Sequence, residues 1–448
     1  MYKENIAAIA TPFGTGGISV IRISGQTAIF EFNKIFKGKN LVLATPRRAY
    51  YGHIVGLDGQ ILDEVVVTLY HGPKSFSGEN LVEVSTHGGI LVTQRVLEEI
   101  LKLNVRLASP GEFSERAYLN GRIDLVEAEA IMDLISAKNE SALKIATLGI
   151  TKSTTKLVEK LRDEVIYILG LIEVNIDYPE YDDAEVVTRE GIKPVLKALI
   201  LKLEELVRHS KRNQLIKDGI KTVIIGRPNV GKSSLLNALI DEDKAIVTNI
   251  AGTTRDLVEA SLNLGGITLN LIDTAGIRET VDEVESIGVE RSKQAIDQAH
   301  LVLLVLDQSE KLTAEDKLLL ELTKDKKRII IGNKADLEKT IEIEKLLPIS
   351  SITKAGLKDL EAEIIKTLRL TEIHDNDFNY LANIRQISKA NEALFALEEA
   401  LEAANNKMPI DLIEVHIQET YYRLGDILGK RYNDDIHKEI FSKFCLGK

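Results

Sequence analysis

The chain has 448 residues, a formal net charge of −11, 44% hydrophobic residues and 28% charged residues, which excludes disorder over most of its length. Such an acidic chain is not one that coats nucleic acid over its whole surface, although a local basic patch or a second subunit could still carry nucleic acid; without tryptophan and with 5% aromatics, an aromatic base-stacking surface is not expected. One cysteine, Cys445, excludes an internal disulfide framework or a multi-cysteine zinc site, and no run reaches the roughly 18 to 20 apolar residues of a membrane span, so a soluble cytoplasmic protein is expected.

At about 150 residues per domain, the length suggests about three domains. Residues 1–117 are rich in glycine and β-branched residues. Ile18 to Ile23, Leu62 to Leu69 and Leu81 to Ser85 read as short strands, and Ile90 to Leu101 as a helix, so this part is an α+β domain. Ser109-Pro110-Gly111-Glu112 predicts a helix start, with Ser109 as N-cap and Glu112 closing a capping box. Residues 118–215 have long helical periodicity, which Asp177-Tyr178-Pro179 should break. Over 216–371, strands at Thr222 to Ile225, Thr268 to Ile272, Leu301 to Leu306 and Arg328 to Ile331 alternate with helices. Their near-continuous apolar character suits parallel strands covered on both faces. Residues 372–448 return to helix, strongly periodic at Asn383 to Ala404 and Pro409 to Leu424. An α/β domain is therefore expected to be inserted between two helical segments.

Gly226-Arg227-Pro228-Asn229-Val230-Gly231-Lys232-Ser233 fits the phosphate-loop pattern, after a predicted strand and before a predicted helix. Its backbone N–H groups would face phosphate oxygens, Lys232 the outer phosphates, and Ser233 a magnesium ion. Asp273-Thr274-Ala275-Gly276 follows the strand ending at Ile272; Asp273 could hold magnesium through water, and Gly276 could offer its N–H to the terminal phosphate. Asn333-Lys334-Ala335-Asp336 follows the next-but-one strand. Asp336 could accept both N1–H and N2–H of guanine, a donor pair adenine lacks, which favours a GTPase over an ATPase. Ser350-Ser351 is a poorer match to the loop that backs the base.

Gly252-Thr253-Thr254-Arg255-Asp256 lies between these motifs, and here the chain resembles translation-factor-class GTPases of the TrmE-Era-EngA-YihA-Septin-like branch. Ile277 stands where Ras-like proteins carry a glutamine; hydrocarbon cannot orient water, so hydrolysis needs another device. The resemblance offers two. Asn229, with the carbonyls of Thr248 and Ile250 and the side chain of Thr253, would hold a potassium ion that replaces an arginine finger. Glu285 would orient the attacking water. From spacing alone, Asn229 could equally stabilise its own turn and Glu285 belong to a solvated acidic loop. The catalytic candidates are thus Glu285, Asn229 and Asp273, and the magnesium candidates Ser233 and Thr254. The candidate GTP contacts are Asn229, Val230, Gly231, Lys232, Ser233, Ser234, Thr248, Asn249, Ile250, Ala251, Gly252, Thr253, Thr254, Asp273, Thr274, Ala275, Gly276, Asn333, Lys334, Asp336, Ser350 and Ser351.

The flanks narrow the resemblance. Residues Ala10 to Gly25, Ser75-Phe76-Ser77-Gly78-Glu79-Asn80, Thr86-His87-Gly88-Gly89, Pro110 to Ala117, Ile176 to Glu180 and the terminal Cys445-Leu446-Gly447-Lys448 are similar to the tRNA uridine modification GTPases of the MnmE (TrmE) family. That resemblance implies a multidomain protein: a folate-binding-like α+β N-terminal domain that dimerises, an all-α helical domain, and an inserted Ras-like P-loop GTPase domain. It implies Mg2+, K+, GTP as substrate, and a reduced folate (5-formyl- or 5,10-methylene-tetrahydrofolate) held by Arg22, Glu79, Arg122 and Lys448. It also implies a homodimer that joins the flavoprotein MnmG (GidA) in a heterotetramer-type complex and acts on tRNA, installing an aminomethyl-type (carboxymethylaminomethyl) group on C5 of the wobble uridine. Arg122 stands where relatives often carry lysine. Without the resemblance, Arg22 and Glu79 read as a strand-end charge and a turn residue. Cys445 lies on an apolar helical face with Ile440, Phe441 and Phe444, which favours packing over nucleophilic chemistry. A ribosome-assembly switch without modification chemistry is the alternative, disfavoured by the folate-like block and by the lack of a dense basic tract.

Overall fold

The computed structural model describes residues 4–137, 139–177, 184–240, 258–264, 267–272, 294–368, 380–431, 440–442, 444 and 447. It forms two compact units: Met1–Met132, Gly149–Thr188 and Met408–Lys448 make the first, Asp133–Leu148 and Arg189–Lys407 the second.

The first unit holds a seven-stranded sheet of β1 (Asn5–Ile9), β2 (Ile18–Ser24), β3 (Phe36–Gly38), β4 (Ala49–Val55), β5 (Ile61–Tyr70), β6 (Leu81–His87) and β7 (Val105–Leu107). The order is β3-β4-β5-β6-β2-β1-β7, antiparallel except for the β1–β7 edge. The predicted strands lie inside β2, β5 and β6. Alternation sorts their side chains. Ile21, Ile23, Val65, Val67, Val82 and Val84 pack on one face beneath Val96 and Ile100 of the helix Ile90–Leu101. On the other face, Phe113 of the helix Glu112–Leu119 packs with Ile6, Ala8 and Ala108.

The start of that last helix corrects the sequence reading. Gly111, not Ser109, is the N-cap, at φ 74°. A Cβ at this position would stand 2.2 Å from the carbonyl oxygen of Phe441. The close approach of a C-terminal segment, far away in sequence, therefore decides where the helix begins. Half of the expected capping box survives, because the Glu112 carboxylate accepts the Ser109 N–H at 3.0 Å. Tyr178 and Pro179 of the expected break lie outside the described residues, and the helix Ser153–Asp177 runs as far as Asp177. It packs along the helix Ile410–Leu428, with the Arg162 guanidinium 4.1 Å from the Tyr421 ring centroid.

The second unit is built on β8 (Ile220–Ile225), β9 (Val258–Leu264), β10 (Ile267–Ile272), β11 (Leu301–Asp307), β12 (Arg328–Asn333) and β13 (Leu346–Pro348). The order is β13-β12-β11-β8-β10-β9, parallel except for the β9–β10 hairpin. Every residue of β11 is buried, as its unbroken apolar run predicts. One face packs against Leu235 and Leu239 of the helix Lys232–Ile240 and Leu360 and Ile364 of the helix Leu357–Thr367. The other meets Leu319 of the helix Ala314–Leu322. The helix Ile384–Asn405 starts at Asn383, whose side chain accepts the Gln386 N–H at 2.9 Å. Among the described residues, no helix is long and apolar enough to cross a membrane.

Candidate functional site

The parallel sheet directs the chain ends after β8 and β12 to the same edge. Between β8 and the helix Lys232–Ile240, Asn229 sits at φ 64° and Gly231 at φ 94°, which curls the loop so that successive N–H groups converge. A Cβ on Gly231 would lie 2.1 Å from Asn333 Nδ2, so only glycine leaves room for the contact that closes this cradle. Lys232 Nζ donates to the carbonyls of Gly226 at 2.7 Å and Arg227 at 2.9 Å. Burial lowers the Lys232 pKa below the usual lysine range, and the charge of Glu315 offsets this only partly. Nucleotide phosphates are the anions this geometry and charge fit. Ser233 is the second residue of the helix that starts at Lys232.

The Asn333 amide, 2% exposed, joins the two motifs. Its Nδ2 donates to the Val230 carbonyl at 2.8 Å, and its Oδ1 accepts from Ser351 Oγ at 2.9 Å. Ser350 Oγ donates to Asp336 Oδ1 at 2.5 Å and fixes that carboxylate. Lys334 Nζ lies 2.5 Å from Asp307 at the end of β11. Burial opposes ionisation of Asp307, but Lys334 and hydrogen bonds from Ser309 outweigh it and hold the carboxyl below its usual range. The loop read as a poor motif match, Ser350-Ser351, thus touches both Asn333 and Asp336. Of the other candidates, Thr248, Asn249, Ile250, Ala251, Gly252, Thr253, Thr254, Asp273, Thr274, Ala275, Gly276 and Glu285 lie outside the described residues, as do Cys445 and Lys448.

The outer face of the N-terminal sheet carries a second polar centre. Register sets Arg22 opposite Glu83, and Nη2 and Nε reach the same carboxylate oxygen at 2.7 and 3.1 Å. Arg22 Nη1 donates to the Gly447 carbonyl at 3.3 Å, and its guanidinium lies 4.9 Å from the Phe76 ring centroid. Glu79 accepts from Ser24 Oγ at 2.9 Å and Arg116 Nη1 at 3.0 Å. Arg116 is fully buried and also donates to Glu112 at 2.8 Å. Arg122 Nε donates to the Ser75 carbonyl at 3.3 Å and helps line an open cavity of about 430 Å³ with Arg47, Tyr70, Lys74 and Phe76. Of the three folate candidates described, only Arg122 lines this cavity; Arg22 lies over its Phe76 wall, and Arg22 and Glu79 sit in ion pairs of their own. Glu83 and Arg116, which the sequence reading passed over, are their ion-pair partners. Carboxylates beside guanidinium groups suit a ligand with a donor-rich ring and anionic tail, so the donor set fits a reduced folate.

The family model described as "GTP-binding protein TrmE N-terminus" matches residues 5–122, and that described as "MnmE helical domain" matches residues 125–445. Among curated relatives, the tRNA modification GTPase MnmE of Acholeplasma laidlawii (strain PG-8A) is 55% identical over 448 residues, covering 100% of both chains. Its counterpart in Aster yellows witches'-broom phytoplasma (strain AYWB) is 51% identical over 460 residues, again covering 100% of both. That of Streptococcus pyogenes serotype M1 is 47% identical over 451 residues, covering 99% of this chain and 98% of the relative. With both family models placed end to end and identities of this size over the full length, the chain belongs to the MnmE (TrmE) family of tRNA modification GTPases.

Proposed function

We propose that the chain is a potassium-stimulated GTPase that works with a flavoprotein of the MnmG type to build an aminomethyl-type group on C5 of the tRNA wobble uridine. Family membership carries the coarser part: a GTP hydrolase, with magnesium as its general requirement, in tRNA modification. The observation that carries the nucleotide assignment is the Asn333 amide, which binds phosphate loop and base loop into one pocket.

In this reading, the backbone N–H groups from Asn229 to Ser234 grip the phosphates. Lys232 exchanges two neutral carbonyls for phosphate oxygens and recovers the charge compensation that its burial withholds. Asp336, held by Ser350, accepts the guanine N1–H and N2–H. Ser233 and Thr254 would hold magnesium, with Asp273 acting through water. Asn229, Thr248, Ile250 and Thr253 would hold potassium, whose charge offsets that developing on the phosphoryl group. Glu285 would orient the attacking water.

At the N-terminal site, Arg22 and Glu79, with Arg122 and Lys448, would bind a reduced folate as one-carbon donor. Arg116 and Glu83 would position them. The homodimer through this domain, the complex with the flavoprotein, and cytoplasmic location belong to the same proposal. Reconstitution tests it. The chain, the flavoprotein, unmodified tRNA, a methylene-tetrahydrofolate, an ammonium or glycine nitrogen source, and GTP are combined, and the nucleosides are analysed by mass spectrometry. A wobble uridine whose mass increases only when GTP and folate are both present is the expected result. A mass increase that is indifferent to folate would refute the one-carbon assignment.

A further inference from the structure

A basic cleft lies at the end of the GTPase sheet away from the nucleotide pocket. It is a cavity of about 760 Å³ between the C-terminal turns of the helix Ala184–Asp218 and the segments that lead into β8, β11 and β12. Parallel strands put their starts at the opposite edge from the phosphate loop, roughly 17 to 20 Å away for a strand of this length. Five permanent cations line the cleft, namely Arg208, Lys211, Arg212, Lys326 and Lys327, against the single carboxylate of Asp325. The chain as a whole carries a net charge of −11, so this is a local inversion of its surface charge. Nearby acids temper it only in part: Glu205 lies 3.8 Å from Arg208, and Asp297 3.2 Å from Lys326. Both pairs are solvent-accessible and screened. The cations come from two separate elements, a helix face and a strand-connecting turn, which gives the cleft two basic walls.

We propose that this cleft binds the phosphate backbone of RNA, the docking surface by which the GTPase unit engages its tRNA substrate. The proposal rests on the functional reading above, because that reading supplies an RNA substrate. An acidic chain needs such a local patch to hold a polyanion. A spread of lysines and arginines over two walls suits successive phosphates along a strand rather than one compact anion. His300 at the same cleft supports the assignment. Burial first, and then Lys221 and Lys327, press its pKa below the usual histidine range, and its Nδ1 accepts the Lys221 N–H at 3.3 Å. With Nδ1 accepting, Nε2–H remains to donate to a phosphate oxygen. Binding here leaves the nucleotide pocket open, so RNA and GTP can occupy the unit together.

The test uses the full chain. A triple variant, Lys211→Gln with Lys326→Gln and Lys327→Gln, is compared with a control, Lys317→Gln with Lys339→Gln and Lys358→Gln, that carries the same charge change on exposed lysines outside the cleft. Binding of a fluorescent anticodon-stem RNA hairpin is titrated between about 50 and 200 mM salt. Affinity of the triple variant falls roughly tenfold or more, and its log–log salt slope shrinks by about 2 to 3, or 0.7 to 0.9 for each cation removed. GTP hydrolysis is unchanged and reports that the variant is folded. The control retains wild-type binding. Equal binding by both variants overturns the proposal. So does loss of binding to phosphatidylglycerol vesicles with hairpin binding intact, which would assign the cleft to a membrane. If wild-type protein leaves the hairpin unbound while tRNA is still modified in the reconstituted reaction, the cleft proposal falls and the functional reading stands. If modification is absent as well, both fall.

Discussion

The phosphate loop and the N-terminal arginine network each draw a cation out of water, Lys232 partly and Arg116 fully, but they compensate it in opposite ways. Lys232 is held by two neutral carbonyls of its own loop, and burial lowers its pKa. Arg116 is fully buried and grips two carboxylates, Glu79 and Glu112. Among the described residues, the first cation pairs with no carboxylate and has only the charge of Glu315 acting on it, an arrangement suited to receiving an anion. The second has its anions already, and its work is to hold Glu79 and the helix Glu112–Leu119 in place. Incomplete compensation of a charge withdrawn from water thus points to ligand contact, and full compensation, as at Arg116, to a positioning role.

Mutation of each cation should separate these roles. Arg116→Met leaves the nearly buried Glu79 without its cation, while Glu112 keeps Arg106 at 2.6 Å. It should cost about 3 to 5 kcal/mol in denaturant unfolding. A loss below about 1 kcal/mol would mean that the network relaxes and is not structural. Lys232→Met removes a poorly compensated charge, so stability should stay near wild type while GTP turnover falls by about 10² to 10³, the usual scale for a lost transition-state contact. A parallel loss of stability and turnover would erase the contrast.

Asp336→Asn keeps the shape but replaces an acceptor pair with a donor and an acceptor. Losing a charge-assisted contact of about 1.5 to 3 kcal/mol should weaken GTP roughly ten- to hundredfold, with a shift towards xanthosine triphosphate. Unchanged GTP affinity would remove Asp336 from the base site. Arg22→Lys cannot reproduce the fork that spans Glu83 and the Gly447 carbonyl. Binding of 5-formyl-tetrahydrofolate should weaken about tenfold, equivalent to about 1.4 kcal/mol. Calorimetry showing no change would detach Arg22 from the ligand.

The smallest effect belongs to a pair in the N-terminal unit that joins an exposed histidine to a buried aspartate. His87 Nδ1 lies 2.6 Å from Asp63, whose hydrogen bond and charge raise the histidine pKa above 6.5. A raised folded-state pKa contributes stability below the unfolded value and loses it as pH rises through the folded one. An NMR titration should show His87 titrating above its ordinary value, and Asp63→Asn should bring it back. No change on that substitution would disprove the coupling.

Legibility from sequence followed the same division. The phosphate loop is eight consecutive residues whose chemistry is local, and the apolar runs on either side of it mark parallel strands. The N-terminal centre draws on positions 22, 79, 83, 116 and 447, which only strand register and chain return bring together. Glu83 was invisible because its meaning is its position opposite Arg22 across β2 and β6. Arg116 sat inside a recognised motif without a role, since nothing in a linear pattern announces a fully buried guanidinium. Gly111 displaced Ser109 as helix cap for a similar reason: the deciding neighbour, Phe441, lies more than three hundred positions away.

The most direct test of the account is GTP hydrolysis by the purified chain in potassium and in sodium at matched ionic strength, with Asn229→Ala alongside. Strong stimulation by potassium, lost in the variant, is the predicted result. Equal rates in both salts would contradict the potassium-assisted mechanism and move the burden of hydrolysis to Glu285 or to an external activating protein.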